Sequence, residues 1–291
     1  MSDDTRTRPI FQEVNDHAAV TLFGGQRALL LQLAHPLVAA GVRDHSGFLA
    51  DPLGRLVRTL DFMHALLFGT PGERHEATAW FRAVHAPVRG RLKEDAPPFH
   101  ASTPYTASSP ALLLWVWATL AETAPFVYER AVRPLTPAEK RLFHRDSKEW
   151  ALRLGVPPDM IPATWGGLHA YVRETLDRLT VSRSARALSR QVLFPPGVPR
   201  LIALPLAHVT VELLPPRLRE GFGLTRSPLQ TATARALLGA TRALSPVVPK
   251  RLTSIRTWTG PLRRLGFRPR SHTGAGAGGR TGGGQKRRAA G

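Results

Sequence analysis

The sequence predicts an all-α protein built as a single bundle of about eight to ten helices. Apolar residues recur at helical spacing along most of the 291 residues, and 43% of the chain is hydrophobic, which is enough for a sizeable core. Several stretches begin with a helix-capping residue followed by proline. No alternating strand of five residues or more is visible, and no Asn-Gly turn joins two apolar runs.

The first half of the chain contains two helices whose limits follow from proline and glycine. The first covers roughly residues 17–41 and is kinked near Pro36, because proline lacks the N–H that a helix interior needs. The second begins at Asp51 and Pro52 and ends before Gly69. Its leucines form a core stripe at helical spacing.

Two further helices begin with a capping box, in which a threonine side chain and a glutamate three residues later cap each other's backbone N–H groups. These are the stretch FGTPGERHEATAWFRAVH, with Thr70, Pro71 and Glu73, and the stretch PLTPAEKRLFHRDSKEWALRLG, with Thr136, Pro137 and Glu139. Gly155 is the expected end of the second. The remaining helices are expected at 110–132, 162–180, 183–194, 199–214 and 228–244.

The chain divides by composition into four parts. We assign residues 1–15 to an N-terminal extension, 16–250 to the helical domain, 251–270 to a basic segment and 271–291 to a disordered tail. The tail, SHTGAGAGGRTGGGQKRRAAG, lacks the apolar side chains that would offset the entropy cost of ordering it.

The net charge of +19 is concentrated at the C-terminal end. From Gly221 onward the chain has 14 basic residues and no acidic one, while the part before it has 26 basic residues against 21 acidic ones. Only Trp258 and Phe267 are aromatic after residue 245, so few rings could stack on bases and nucleic acid is disfavoured as a partner. The basic tail suits contact with an anionic membrane surface.

Two absences narrow the class of protein. Without cysteine, any metal must be held by histidine, carboxylate or a prosthetic group. The N-terminus lacks the apolar region of a secretory signal, and the apolar runs at 28–42 and 111–121 are shorter than the ~18 residues of a spanning helix. We therefore expect a cytoplasmic protein that contacts a membrane only at its surface.

His85 is the first candidate for chemistry. It shares a helix face with Phe81 and Val88, beside an expected core stripe that includes Val84, so its ring should be at least partly buried. The alternative is a core histidine with no ligand. The helix before it places Arg55, with Thr59 one turn further on, beside its own apolar stripe, where the alternative is a solvated edge. Neutral imidazole is the usual protein ligand of haem iron, and arginine is a usual partner of carboxylates such as the haem propionates.

Two other possible sites, a di-iron centre and an aromatic substrate platform, have less support from the sequence. Asp61 and His64 have the spacing of one half of a di-iron site, but the chain has no partner Glu-x-x-His. Trp115 and Trp117 point to different faces of one helix, which is typical of core packing rather than of a substrate platform.

Five short stretches occur together, in the same order and with similar gaps, in one known family. They are RALLLQLAHPLVAAGVRDHSGF, DPLGRLVRT, HAPVRG, YTASSPALLLWVWATL and LLPPRLREGFGL. Over roughly residues 20 to 245 the chain thus resembles the catalytic domain shared by latex-clearing rubber oxygenases and the mycophenolic-acid pathway oxygenase MpaB. The resemblance implies a globin-like bundle and a haem b-dependent oxygenase that uses O₂ on a hydrophobic, olefinic or isoprenoid-like substrate, with an electron donor of unidentified kind as a further partner.

The resemblance also implies roles for individual residues. His85 corresponds to the histidine that ligates the haem iron, and Arg55 and Thr59 correspond to pocket residues. Arg58 stands where latex-clearing members have a lysine beside the iron, and it cannot ligate because it does not deprotonate. The family's upstream carboxylate is missing around Ala39, so His35 and His45 become the candidate proton acceptors. The alternative to an enzyme is a non-catalytic haem- or small-lipid-binding protein.

Overall fold

The structure is a computed structural model that describes residues 9–45 and 52–257, except for the side chains of Pro52, Leu53, Arg55 and Leu56. The described residues form thirteen α-helices, one 3-10 turn at Pro158–Met160 and a two-stranded hairpin. The helices are α1 (Ile10–Asp16), α2 (Ala18–Leu33), α3 (Pro36–His45), α4 (Pro52–Phe68), α5 (Pro71–His85), α6 (Pro110–Ala131), α7 (Pro137–Leu154), α8 (Trp165–Arg178), α9 (Arg183–Leu193), α10 (Arg200–Leu213), α11 (Pro216–Phe222), α12 (Pro228–Leu244) and α13 (Lys250–Thr253). The all-α class is confirmed.

Helix α6 forms the centre of the core. It packs against α2, α7, α8 and α12, and both Trp115 and Trp117 are fully buried, which confirms their expected packing role. The indole N–H of Trp117 donates to the carbonyl of Ser147 at 2.9 Å, so the ring is buried without an unmet donor. Among the described residues α6 alone is long and apolar enough to cross a membrane, but 78% of its most apolar window is buried inside the bundle.

A buried ion pair ties three helices together. Arg27 on α2 bonds to the Glu122 carboxylate on α6 at 2.6 Å and donates to the backbone carbonyl of Leu213 on α10 at 3.0 Å. It also donates to the Thr123 hydroxyl. Both charged side chains are almost fully buried, so the removal of either partner would leave an uncompensated charge in the core.

The capping boxes form as the sequence predicts. The Thr70 hydroxyl accepts from the Glu73 N–H at 3.3 Å, while the Glu73 carboxylate accepts from the Thr70 N–H at 2.8 Å. Thr136 and Glu139 repeat the arrangement at the start of α7. Gly155 ends that helix with a φ of 98°, a left-handed conformation that glycine adopts without a steric penalty.

The helix that the sequence predicts over residues 17–41, with a kink near Pro36, is in fact two separate helices. Helix α2 stops at Leu33 and α3 starts at Pro36, because the proline ring cannot fit in the interior of a continuous helix. The structure also contains α1, which the helical pattern did not reveal, and its Ile10 and Val14 are buried in the core. Helices α11 and α13 were also not expected, and together with α1 they raise the number of helices above the eight to ten that the sequence predicts. The proposed disordered tail, 271–291, lies outside the described residues.

A small hairpin follows α5. Strand β1 (Arg89–Arg91) pairs antiparallel with β2 (Pro104–Thr106), which places Gly90 opposite Tyr105. A Cβ at Gly90 would lie 2.6 Å from the Tyr105 hydroxyl oxygen, so a larger residue at this position would force the Tyr105 ring to move. The hairpin anchors the chain just beyond His85, the last residue of α5.

Candidate functional site

Helices α4 and α5 form an antiparallel pair joined by only two residues, Gly69 and Thr70. The turn is so tight that a Cβ at Gly69 would collide with the carbonyl oxygen of Ala65 and lie 3.0 Å from the Glu73 Cβ. The Thr70 capping box then starts α5 at once. The short connection therefore limits how far α5 can slide along α4.

His85 has the environment of a histidine held in one orientation. Its side chain is half-buried, its Nδ1 lies 2.8 Å from the carbonyl oxygen of Phe81, and its ring stacks on the Phe81 ring with 4.0 Å between centroids. A carbonyl oxygen only accepts hydrogen bonds, so Nδ1 carries a proton, and in the neutral ring Nε2 carries the lone pair. This is the tautomer in which a neutral imidazole ligates a metal through Nε2.

The stack continues onto α4. Phe62 lies nearly parallel to Phe81, with ring centroids 5.4 Å apart, and also contacts Trp80. Phe62, Phe81 and His85 thus form one aromatic column, which we call the Phe62–His85 stack. It confirms that His85 shares a face with Phe81 and that its ring is partly buried. Val84, which we expected in the core stripe of α5, is instead 44% exposed, so that expectation was wrong.

The stack sets the register of the α4–α5 pair. The two helices run in opposite directions. A residue one turn before Phe62 on α4 therefore lies level with a residue one turn after Phe81 on α5, about 6 Å from the Phe62–Phe81 contact. Those positions are Arg58 and His85. Arg58 is half-buried and Thr59, beside it, is exposed. Arg55 lies a further turn back on α4, and its side chain is among those not described.

His35 lies elsewhere, in the turn between α2 and α3. It is buried against Phe99, with centroids 5.1 Å apart, and near Trp115. Its Nδ1 accepts a hydrogen bond from the Leu37 N–H at 3.3 Å. Burial lowers the pKa of His35 from its ordinary value of 6.5 to about 4. At neutral pH the ring is therefore uncharged and weakly basic.

His45 lies at the exposed end of α3 beside the hairpin. Its Nε2 is 2.8 Å from the Arg89 carbonyl oxygen, so Nε2 carries the proton and Nδ1 the lone pair. The residue lines an open cavity of about 610 Å³ together with Asp44, Lys93 and Tyr105.

Asp44 is the centre of a polar cluster that the sequence did not reveal. Its carboxylate accepts hydrogen bonds from Arg43 at 2.8 Å, from Lys93 at 3.1 Å and from the Tyr105 hydroxyl at 3.0 Å. The bond from Arg43 holds the pKa of Asp44 well below its ordinary value, so the carboxylate does not take up a proton near neutral pH. Lys93 and Tyr105 lie 49 and 61 residues away in the chain, and no local spacing could have indicated them.

A metal centre built only from side chains is not found in the part of the chain that the structure describes. No group of three or more histidine or acidic side chains there is arranged to hold an ion. Asp61 and His64 therefore do not form part of such a group within the described ranges, 9–45 and 52–257.

Comparison with known proteins identifies the class. The chain belongs to the family described as "ER-bound oxygenase mpaB/B'/Rubber oxygenase, catalytic domain", whose model matches residues 13–243. No curated protein and no solved structure shows significant similarity to the chain. The match covers α2 to α11 entirely and most of α12, and it includes His85, Arg58 and Thr59. It confirms the resemblance and makes the helical domain an oxygenase catalytic domain.

We predict that Gly69→Ala destabilises the protein by about 1–3 kcal/mol, because the new methyl group overlaps the Ala65 carbonyl and forces the α4–α5 turn open. Gly72→Ala is the matched control. An added Cβ there meets nothing within 4 Å, and alanine is the better helix former, so stability should rise by up to about 1 kcal/mol. Urea unfolding of both variants measures the difference, and equal effects would show that the turn is not tight.

Lowering the pH should destabilise the protein through the buried His35. His35 has a pKa of about 4 when folded and 6.5 when unfolded, so below pH 6.5 the unfolded chain binds a proton that the folded chain does not. This residue alone should therefore cost about 2 kcal/mol of stability between pH 7 and pH 5. His35→Gln keeps a polar side chain without the titration, so its stability should fall less over that interval. Parallel pH profiles for the two proteins would contradict the buried, neutral ring.

Proposed function

We propose that the protein is a haem b-dependent oxygenase that oxidises or cleaves a hydrophobic substrate of olefinic or isoprenoid type. Given that the chain belongs to an oxygenase family, the orientation of His85 is the observation that supports this proposal. Its Nδ1 proton is directed to the Phe81 carbonyl, so the lone pair lies on Nε2. The haem, when bound, supplies the activation of O₂, and the protein supplies ligation, orientation and an apolar surround.

The residues around His85 fit a haem ligand in two respects. The bond to the Phe81 carbonyl raises the basicity of Nε2, as the second hydrogen bond of a ligating histidine does. The Phe62–His85 stack holds the ring plane, so little rotamer freedom is lost when His85 binds iron. A single imidazole is also the usual protein ligand in globins and peroxidases.

The side chains of α4 complement an anionic cofactor. Arg58 is level with His85, and its guanidinium can donate to a carboxylate such as a haem propionate but cannot ligate iron. Arg55, one turn earlier, is proposed for the same anchoring role. The exposed Thr59 hydroxyl can both donate and accept, which suits the role of orienting a polar atom beside the cofactor.

The two candidate proton acceptors, His35 and His45, differ in how readily they can accept a proton. His35 is held neutral by burial, and its only unprotonated nitrogen already accepts from the Leu37 N–H. His45 is exposed, and its bond to the Arg89 carbonyl leaves the lone pair on Nδ1. We therefore assign the proton-accepting role to His45 in preference to His35.

The test is the haem content of His85→Ala. If His85 is the protein ligand to iron, the variant should purify with less than about a tenth of the wild-type haem, since loss of the ligand removes several kcal/mol of binding free energy. Its helical circular dichroism should be unchanged, because a half-buried residue at the end of α5 contributes little to the core. The pyridine haemochrome assay gives the content directly.

The matched control is His75→Ala, an exposed histidine on the same helix. It should keep full haem content. A His85→Ala protein with the haem content and spectrum of the wild type would refute the assignment of the ligand. Conversion of an isoprenoid probe under O₂ then separates an enzyme from a non-catalytic haem carrier.

A further inference from the structure

One end of the α10–α12 pair exposes large aliphatic side chains. Glu212, at the end of α10, bonds to Arg226 at 2.8 Å just before α12, so the two packed helices run antiparallel. The start of α10 therefore lies beside the end of α12. The exposed aliphatic residues at this end are Leu201, Ile202 and Leu204 on α10, and Leu244, Val247 and Leu252 at and after the end of α12. Leu201 is 87% exposed and Val247 is 74% exposed, values unusual for side chains of this type.

The same end carries basic side chains. Arg200, Arg242, Lys250 and Arg251 are all exposed, and each lies within two residues of one of these aliphatic residues in the chain. The sequence has no acidic residue between Asp177 and Glu212 and none after Glu220. The acidic groups that reach this region from other helices are already paired, Asp16 with Arg256 at 3.1 Å and Glu129 with Lys140 at 2.8 Å. We call this set of six aliphatic and four basic residues the apolar–basic end.

We propose that the apolar–basic end docks on an anionic lipid surface. Aliphatic side chains in the headgroup region lose contact with water, and lysine and arginine beside them meet the negative headgroups. Long basic side chains can extend towards the headgroups while their stems lie along apolar surface. The two proline-containing segments here, PPGVPRLIALP and LSPVVPKRL, supply the apolar contacts from adjacent helix ends.

Charge and side-chain type disfavour the other possible binding partners of this surface, which are a second copy of the chain, its own C-terminal segment and nucleic acid. A second copy of this end would bring four basic residues against four more with no acid to neutralise them, so self-association is opposed. The segment from residue 258 to 291 contains eight lysine and arginine residues and no acidic one, so it would meet the same repulsion. Nucleic acid is anionic, but aliphatic side chains do not stack on bases as aromatic rings do. An anionic lipid surface satisfies both the charge and the aliphatic contacts.

The first test is sedimentation of the full-length protein with vesicles. The protein should bind vesicles of phosphatidylcholine that also contain phosphatidylglycerol, should bind much less to phosphatidylcholine alone, and should be released by salt. Absence of binding to the anionic vesicles, or equal binding to both kinds, would overturn the proposal.

Paired variants of the full-length protein locate the binding face. Lys250→Glu with Arg251→Glu should weaken partitioning about thirtyfold or more at low salt, because each basic contact with an anionic surface is lost. Arg173→Glu with Arg178→Glu changes the net charge equally on α8, where both side chains are exposed, and should have a small effect. Equal weakening by both pairs would show that overall charge or the C-terminal segment binds the vesicles, and the proposal would fail.

Insertion of the aliphatic side chains can be observed separately, because the chain has no cysteine to compete for a thiol label. An environment-sensitive fluorophore on Val247→Cys should shift to the blue when anionic vesicles are added. The same fluorophore on Leu152→Cys, an exposed position of α7, should not. A shift at position 247 that appears with protein concentration alone, or with duplex DNA in place of vesicles, would identify a second copy or nucleic acid as the occupant and overturn the proposal.

Discussion

The two-residue connection between α4 and α5 is the constraint on which the candidate site depends. Gly69 is the residue that allows it, since any side chain would overlap the preceding turn. The short turn fixes the two helices antiparallel, and the stack of Phe62 on Phe81 then fixes their register. From these two facts it follows that Arg58 lies level with His85. The proposed iron ligand and the cationic side chain level with it therefore come from this one helical pair, whereas the proposed proton acceptor, His45, lies on α3.

The remainder of the bundle holds that pair in place. Helix α6 packs against α2, and the buried Arg27 bonds both to Glu122 on α6 and to the Leu213 carbonyl on α10, so the three helices are joined. Helices α1 and α7 pack against α4 and α5 respectively, while the β1–β2 hairpin anchors the chain that follows His85. The apolar–basic end belongs to α10, α12 and α13 and uses other helices than the α4–α5 pair. Lipid docking and haem ligation can therefore be tested independently of each other.

Local features of the fold were predictable, and features that depend on distant residues were not. Capping boxes at Thr70 and Thr136 need only neighbours within one turn, so the sequence shows them directly. The side-chain bond of His85 to Phe81 also lies within one turn, and the family resemblance pointed to His85 itself. By contrast, the burial that lowers the pKa of His35 comes from Phe99 and Trp115, far along the chain. The exposure of Val84 likewise depends on which helices pack beside α5, and helical periodicity does not contain that information.

The central claim is that this family member holds haem through one histidine, and the absorption spectrum of the purified, haem-reconstituted protein tests it most directly. The account predicts a Soret band that saturates at about one haem per chain, as expected for a single proximal ligand. Addition of cyanide to the ferric protein should shift the band, because Arg58 cannot occupy a coordination position. A protein that shows no saturable Soret band on titration with haem would contradict the account.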